Sequence, residues 1–209
     1  FPMTLTNAQT RDVEALIHPY TNLARHREVG PLILERGRGI RVFDTRGRDY
    51  IDAMAGLWCV SLGYSEERLI EAAAKQMREL PYSHIFAGRS HEPGIELAEK
   101  LKEVAPFAAS KVFFANSGSE ANDTQIKLAW YYWNAKGMPS RKKIISRTKG
   151  YHGVTLVSAS LTGLPNNHRG FDLPFGGILH ADCPHAYHNA EAGEGDDAFA
   201  TRLAANLEA

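Results

Sequence analysis

The spacing of apolar and polar residues predicts two kinds of structure in the first half of the chain. In residues 31–56, three short runs that alternate apolar and polar residues are separated by the glycine turns RGRG and DTRG, which is typical of an antiparallel meander. Residues 65–80 and 92–105 carry apolar positions at helical spacing. Near the N-terminus, a short predicted helix is interrupted at Pro19, which leaves Tyr20 on an irregular segment.

After residue 110 the pattern alternates between strand and helix. The predicted elements are a strand at 111–115, a helix at 119–136, a strand at 142–147 and a strand at 176–181. This order favours an α/β domain with a mostly parallel sheet, preceded by a smaller α+β segment.

The change of pattern also sets the expected domain organisation. Residues 1–64 are predicted to contribute to a small domain, and residues 65–209 to form the first part of a large domain. We expect the chain to be part of a longer one, because it begins with phenylalanine and ends in a helical stripe. The apolar positions of this stripe, with nothing after them to pack on, are Phe199, Leu203 and Leu207.

Composition and charge narrow the possible partners. The chain has 24 basic and 24 acidic side chains, so no net positive charge favours binding to nucleic acid. No apolar run is long enough to cross a membrane, and the N-terminus lacks the order of a signal peptide, so we expect a cytoplasmic protein without a membrane partner. Cys59 and Cys183 are too few for a disulfide framework and are expected to be reduced.

Small and polar residues fill the junction between the predicted strand at 111–115 and the helix that follows it. A helix that starts here presents unpaired N–H groups, Gly118 allows close approach, and the hydroxyls of Ser117 and Ser119 add donors. This arrangement favours a bound phosphate, although a simple helix cap explains the same residues equally well. The glycine spacing matches neither a P-loop nor a dinucleotide fingerprint, which favours a cofactor with a single phosphate group.

A second cluster follows the next predicted strand. Tyr151 and His152 lie between Gly150 and Gly153, at the same edge of the sheet as the phosphate site if the sheet is parallel. A tyrosine ring is a flat stacking surface, and the two glycines permit close approach of a ligand. A phosphate site beside an aromatic ring suits a planar phosphorylated cofactor such as pyridoxal 5′-phosphate.

These motifs carry a family resemblance. The segments NSGSEAND and GYHGVT, with DAMAGLWCVSLGY upstream, resemble the class III (subgroup II) pyridoxal-phosphate aminotransferases, and HPY, LWCV and PYSHIF are most similar to the ω-amine:pyruvate branch. The resemblance implies fold type I, with a large, mostly parallel, seven-stranded domain and a homodimer that shares its active sites. It implies ping-pong transfer of an amino group from a primary amine, including aryl-alkyl amines, to an α-keto acid such as pyruvate, through a pyridoxamine phosphate form.

The resemblance also implies roles for individual residues. The cofactor-binding residues it implies are Ser117, Gly118 and Ser119 at the phosphate, Tyr151 on the pyridine ring, and His152 and Gly153 beside it. The substrate-binding residues it implies are Tyr20, Leu57, Trp58, Phe86 and Tyr151. For Tyr20, Trp58 and Phe86, packing in an apolar core is the alternative interpretation.

The resemblance places the catalytic group outside these residues. In the family, the Schiff-base lysine, the aspartate on the pyridine nitrogen and the carboxylate-binding arginine come from later in the chain, and none of the lysines here has a matching context. Two alternatives stay open: aminomutase or decarboxylating chemistry on the same fold, and a non-catalytic fragment. A metal site in the segment HADCPHAYH, residues 180–188, is disfavoured because its spacing matches no common zinc pattern.

Overall fold

The computed structural model describes residues 4–208, which form two compact units that divide between Ile95 and Glu96. The first unit contains α1 (Asn7–Ala15), α2 (Leu23–Val29), β1 (Leu34–Arg38), β2 (Arg41–Asp44), β3 (Asp49–Ile51), α3 (Ala55–Trp58), α4 (Glu67–Glu79) and a 3₁₀ turn at Phe86–Gly88. The unit boundary falls within α5 (Glu92–Val104). The second unit contains α6 (Gly118–Ala135), β4 (Ile144–Arg147), α7 (Leu156–Leu161), a 3₁₀ turn at Pro165–Asn167, β5 (Ile178–Ala181), α8 (Ala186–Asn189) and α9 (Asp196–Glu208).

The terminal residues Phe1 and Ala209 lie outside the described residues. The domain division after residue 64, which refers to the complete fold, stays a prediction.

The predicted meander is confirmed in the first unit. Strands β1, β2 and β3 form an antiparallel sheet in that order, with Val42 of β2 opposite Gly37 and Tyr50. The turns between them contain Gly39 and Gly47, both with positive φ, a conformation that glycine adopts without steric strain.

Asp44 at the end of β2 organises the β2–β3 turn. Its buried carboxylate accepts hydrogen bonds from the backbone N–H groups of Arg46 and Arg48, from the Arg48 guanidinium at 2.7 Å and from the Tyr50 hydroxyl at 3.0 Å. Burial alone raises the pKa of Asp44, but these hydrogen bonds outweigh it and lower the pKa to about 2. The turn is therefore held by a carboxylate that stays charged in mild acid.

We expect Asp44→Asn to destabilise the protein at neutral pH and to flatten the acid limb of its stability curve. A folded-state pKa below the ordinary value of 3.8 means that Asp44 contributes stability above about pH 4, and that this contribution is lost as the pH falls towards 2. The measurement is urea unfolding of both proteins between pH 7 and pH 2. The difference in the free energy of unfolding between the two proteins should shrink as the pH falls. A difference that stays constant would contradict the role assigned to Asp44.

A βαβ unit forms the sheet of the second unit. Strands β4 and β5 pair in parallel, with Ile144 opposite Ile178, and α7 lies between them in the chain. The core consists of Ile126 from α6, Leu161 from α7 and Ile178 from β5. Trp130, Ile144 and Val157 pack against this core. Because α6 is held by its apolar face, its position within this unit is fixed.

One sequence expectation about this unit is wrong. Residues 111–115 form no strand, and Phe113 is 71% exposed, because no strand in residues 4–208 pairs with this segment and an unpaired strand leaves its backbone groups unsatisfied. In the terminal helical stripe, Phe199 is 5% exposed, with the Arg202 guanidinium 5.4 Å from its ring centre, whereas Leu207 is exposed. Within the described residues, no helix is long and apolar enough to cross a membrane.

Candidate active site

The N-terminus of α6 offers two free backbone donors. The Ser117 hydroxyl caps the helix by accepting a hydrogen bond from the Glu120 N–H at 3.2 Å, and the Ala121 N–H bonds to the Ser117 carbonyl at 3.0 Å. The N–H groups of Gly118 and Ser119 form no hydrogen bond with any described residue. An added Cβ at Gly118 meets no atom within 4 Å, so the space beside this residue is open. Two N–H groups at the positive end of an 18-residue helix suit an anion.

The loop that carries Tyr151 packs directly against this helix end. The Val154 N–H donates to the Ser119 hydroxyl at 3.0 Å. Gly153 has φ of +132°, and a Cβ there would lie 2.8 Å from the Ser158 Cβ, 3.0 Å from the Ser119 Cα and against the Ser119 hydroxyl oxygen. Only glycine allows this close approach, which explains why a glycine occupies position 153, a position predicted to lie beside the cofactor.

Polar side chains of α6 hold the same loop from behind. The Asp123 carboxylate accepts hydrogen bonds from the Thr155 hydroxyl at 2.8 Å, the Ser158 hydroxyl at 2.8 Å and the Ser158 N–H at 3.2 Å. The Asn122 amide donates to the His152 carbonyl at 2.7 Å. The helix end and the loop therefore form one hydrogen-bonded assembly.

The two side chains between the loop glycines have different environments. Tyr151 is half-exposed, whereas His152 is partly buried. The His152 N–H donates to the Thr162 hydroxyl at 2.9 Å, which fixes the backbone at this point. The structure thus brings Ser119, Gly153 and the backbone of His152 together around the end of α6.

In the first unit, Leu57 and Trp58 lie on a left-handed turn. All four residues of α3 have positive φ, from 46° at Ala55 to 67° at Trp58, and three of them are not glycine. Such backbone conformations are unfavourable and occur where the surrounding structure enforces them, frequently at functional sites. Trp58 is 71% exposed and Leu57 is also exposed, so neither is a core residue of this unit.

The carboxylate of Asp52 holds this turn. It accepts hydrogen bonds from the Met54 N–H at 3.1 Å, the Gly56 N–H at 2.7 Å and the Tyr64 hydroxyl at 2.6 Å. The Tyr64 hydroxyl, followed by the Gly56 N–H, stabilises the charged carboxylate, which lowers the pKa of Asp52 against the opposing effect of burial. Asp52 thus anchors the segment that presents Trp58.

Tyr20 and Phe86 lie on two further irregular segments of the first unit. Tyr20 has φ of 52°, and Phe86 precedes Ala87, whose φ is 55°. Both rings are exposed. Their exposure contradicts the core-packing interpretation within this unit.

Comparison with known proteins identifies the family. A model of the family described as aminotransferase class-III matches residues 23–209. The chain belongs to the class III aminotransferases. The family predicted from the motifs is thus confirmed, and with it the α/β architecture of fold type I.

Three similar proteins illustrate the relationship. Gamma aminobutyrate transaminase 1, mitochondrial, of Solanum lycopersicum is 52% identical over 196 residues, which cover 92% of this chain and 38% of the tomato protein. An ω-transaminase from Pseudomonas jessenii, solved in complex with PMP, is 58% identical, with a TM-score of 0.95 over 97% of this chain and 45% of that one. A thermostable ω-transaminase variant, W58G, engineered for asymmetric synthesis of enantiopure bulky amines, is 59% identical, with the same TM-score and coverage. The chain therefore spans less than half the length of these relatives.

Class III aminotransferases use pyridoxal 5′-phosphate, and the second unit fits this group. The fit rests on the open space at Gly118, the free N–H groups of Gly118 and Ser119, and the half-exposed ring of Tyr151. The assignments of individual cofactor and substrate residues stay predictions.

The class III resemblance assigned no role to the residues that hold the site together, although Asp52, Asn122 and Asp123 lie within its motifs. Asn122, Asp123 and Ser158 tie α6 to the loop, and Asp52 holds the Trp58 turn. The sequence signal for these contacts was the polar pair at 122–123 inside an amphipathic helix. A carboxylate near a buried face needs hydrogen-bond partners.

In the segment HADCPHAYH, four of the five metal-type side chains make other contacts. The His180 ring bonds to the Leu161 carbonyl, the Asp182 carboxylate accepts from Asn206, and His185 stacks on His188. Among residues 4–208, the donor atoms of three metal-type side chains converge elsewhere, at Asp12, His18 and His26.

Proposed function

We propose that this chain supplies the cofactor phosphate site and part of the substrate pocket of a homodimeric ω-transaminase. The enzyme transfers an amino group from a primary amine to an α-keto acid such as pyruvate. The observation that carries the proposal is the open helix end at Gly118 and Ser119 beside the Tyr151 loop, in a chain of the class III family.

On this proposal, each cofactor residue has a defined role. The N–H groups of Gly118 and Ser119 bind the cofactor phosphate at the positive end of α6, and Ser117 holds the helix end in place. The Tyr151 ring stacks on the pyridine ring and orients it, with His152 beside it. Gly153 allows the loop to pack closely against Ser119 at the helix end. The bound cofactor supplies the electron sink that makes amino transfer possible.

The substrate side of the proposal rests on exposed apolar residues. Tyr20, Leu57, Trp58 and Phe86 are all exposed on irregular segments of the first unit, and three of them are aromatic. Apolar and aromatic side chains favour an aryl or alkyl amine. The similar variant engineered for bulky amines carries a substitution written W58G, and this chain has a tryptophan with the same number.

A second candidate activity is supported by the tomato relative, a γ-aminobutyrate transaminase. γ-Aminobutyrate carries a carboxylate, which requires a cationic or hydrogen-bonding partner in the pocket. None of Tyr20, Leu57, Trp58 and Phe86 is cationic, so on this activity the arginine expected later in the chain would bind that carboxylate. The mitochondrial location named for the tomato relative differs from our expectation of a cytoplasmic protein, which stays a prediction.

The test is a donor comparison with the full-length protein that contains this sequence. The purified protein, loaded with pyridoxal phosphate, is incubated with pyruvate and either 1-phenylethylamine or γ-aminobutyrate, and alanine is measured. We expect faster alanine formation from 1-phenylethylamine. Faster formation from γ-aminobutyrate would select the second activity, and no alanine from either donor, with release of carbon dioxide or an isomerised amine, would select the alternative chemistries.

A further inference from the structure

Three metal-type side chains meet near the N-terminus, and the proposed function assigns a role to none of them. Asp12 lies on α1, His18 follows α1, and His26 lies on α2. The Nε2 atoms of His18 and His26 lie 2.8 Å and 3.1 Å from the same oxygen, Oδ1 of Asp12. The two imidazole rings are 4.5 Å apart. We call these three residues the Asp12 cluster.

The geometry of the Asp12 cluster matches a transition-metal ligand set. Its three donor atoms all lie within 4.8 Å of one another. Zinc binds imidazole nitrogen and carboxylate oxygen at about 2.0–2.2 Å, so neighbouring donors around a tetrahedral ion lie about 3.3 Å apart. The observed Nε2–Oδ1 distances are slightly shorter, and a small outward movement of the rings admits an ion between the three atoms.

The cluster also has the burial and access that a metal site needs. His26 is 8% exposed, and the side chains of Asp12 and His18 are 13% and 32% exposed. A surface cavity of about 580 Å³ borders Asp12, and another of about 330 Å³ borders His26. Two ligands are thus held on helices, while the cavities leave a route for the ion and for water as a fourth ligand.

We propose that Asp12, His18 and His26 form a binding site for a divalent transition metal of the zinc class. Two imidazoles with one carboxylate favour zinc, cobalt, nickel or copper over magnesium and calcium, which prefer oxygen ligands. The ion joins α1 to α2 across the segment that contains Pro19 and Tyr20. Binding therefore stabilises the folded form of this segment.

The experiment uses the full-length, cofactor-loaded protein and Co²⁺ as a spectroscopic probe, followed by calorimetric titration with Zn²⁺. We expect one ion per chain and visible absorption typical of cobalt bound to nitrogen and oxygen ligands. Asp12→Asn and His26→Gln should each weaken binding by more than about 100-fold, since loss of an outer-shell partner alone costs about 10- to 100-fold. His188→Gln, which removes a histidine outside the cluster, is the matched control and should bind as the wild type does.

A variant that does not fold would lose metal binding for a reason unrelated to its ligands. His18 is one-third exposed, so His18→Gln is the variant to use if His26→Gln does not fold, and far-ultraviolet circular dichroism without metal checks each protein. The proposal is overturned if the wild type binds neither ion, or if the cluster variants bind as tightly as His188→Gln does.

Discussion

Replacing Gly153 with alanine should lower the free energy of unfolding by about 2–5 kcal/mol and sharply weaken cofactor binding. The φ of +132° is strained for any other residue, and the new Cβ would contact the Ser158 Cβ at 2.8 Å and the backbone of Ser119 at 3.0 Å. Relief requires the Tyr151 loop to move away from the end of α6, which separates the proposed stacking ring from the proposed phosphate donors. Urea unfolding and the dissociation constant for pyridoxal phosphate measure the two effects.

Gly118→Ala is the matched control for this substitution. A Cβ at Gly118 meets no protein atom within 4 Å, and alanine is a better helix former than glycine, so stability should change by less than about 1 kcal/mol. Cofactor affinity should nevertheless fall, because the methyl group enters the space assigned to the phosphate. A wild-type dissociation constant in Gly118→Ala would disprove the phosphate position, and unchanged stability in Gly153→Ala would disprove the tight approach of the loop.

Replacing Trp58 with glycine should increase activity on bulky amines relative to small ones by about 10- to 100-fold, the range by which an apolar pocket discriminates substrates. Removal of the indole enlarges the proposed pocket, while small amines lose contact area. Because Trp58 is exposed and has φ of 67°, the glycine variant should also be at least as stable as the wild type. The measurement is kcat/KM across a series of amines with pyruvate.

Trp58→Ala separates the two effects of the glycine substitution. Alanine leaves nearly the same space but keeps a side chain at positive φ, so its selectivity should resemble that of the glycine variant while its stability should be lower. Equal kcat/KM profiles for all three proteins would remove Trp58 from the substrate pocket. Equal stability of the two variants would show that the left-handed turn carries no strain.

Sequence patterns predicted the elements whose signals are local. The β1–β3 meander follows from alternation and glycine turns, and β4, β5 and α6 follow from periodicity, because each pattern depends on a few neighbouring residues. The segment at 111–115 has the same local signal but formed no strand, since strand formation depends on a pairing partner distant in sequence.

For the candidate site too, the sequence predicted some features and missed others. The phosphate and ring motifs were found because their spacing resembles that of the class III family. The hydrogen bonds of Asp123 to Thr155 and Ser158 link residues about 30 positions apart, and the left-handed turn at Trp58 depends on Asp52 and Tyr64. Such long-range contacts have no periodicity, so they could be recognised only in the folded chain.

The left-handed turn at Ala55–Trp58 bears on how new substrate preferences can evolve. The carboxylate of Asp52 and the hydroxyl of Tyr64 fix the backbone of the turn, and the indole of Trp58 adds little packing within its unit. On the proposed function, mutations at position 58 therefore change which amines are accepted without lowering stability below the threshold that folding requires. Selection on substrate and selection on fold thus act on different residues of the same short segment.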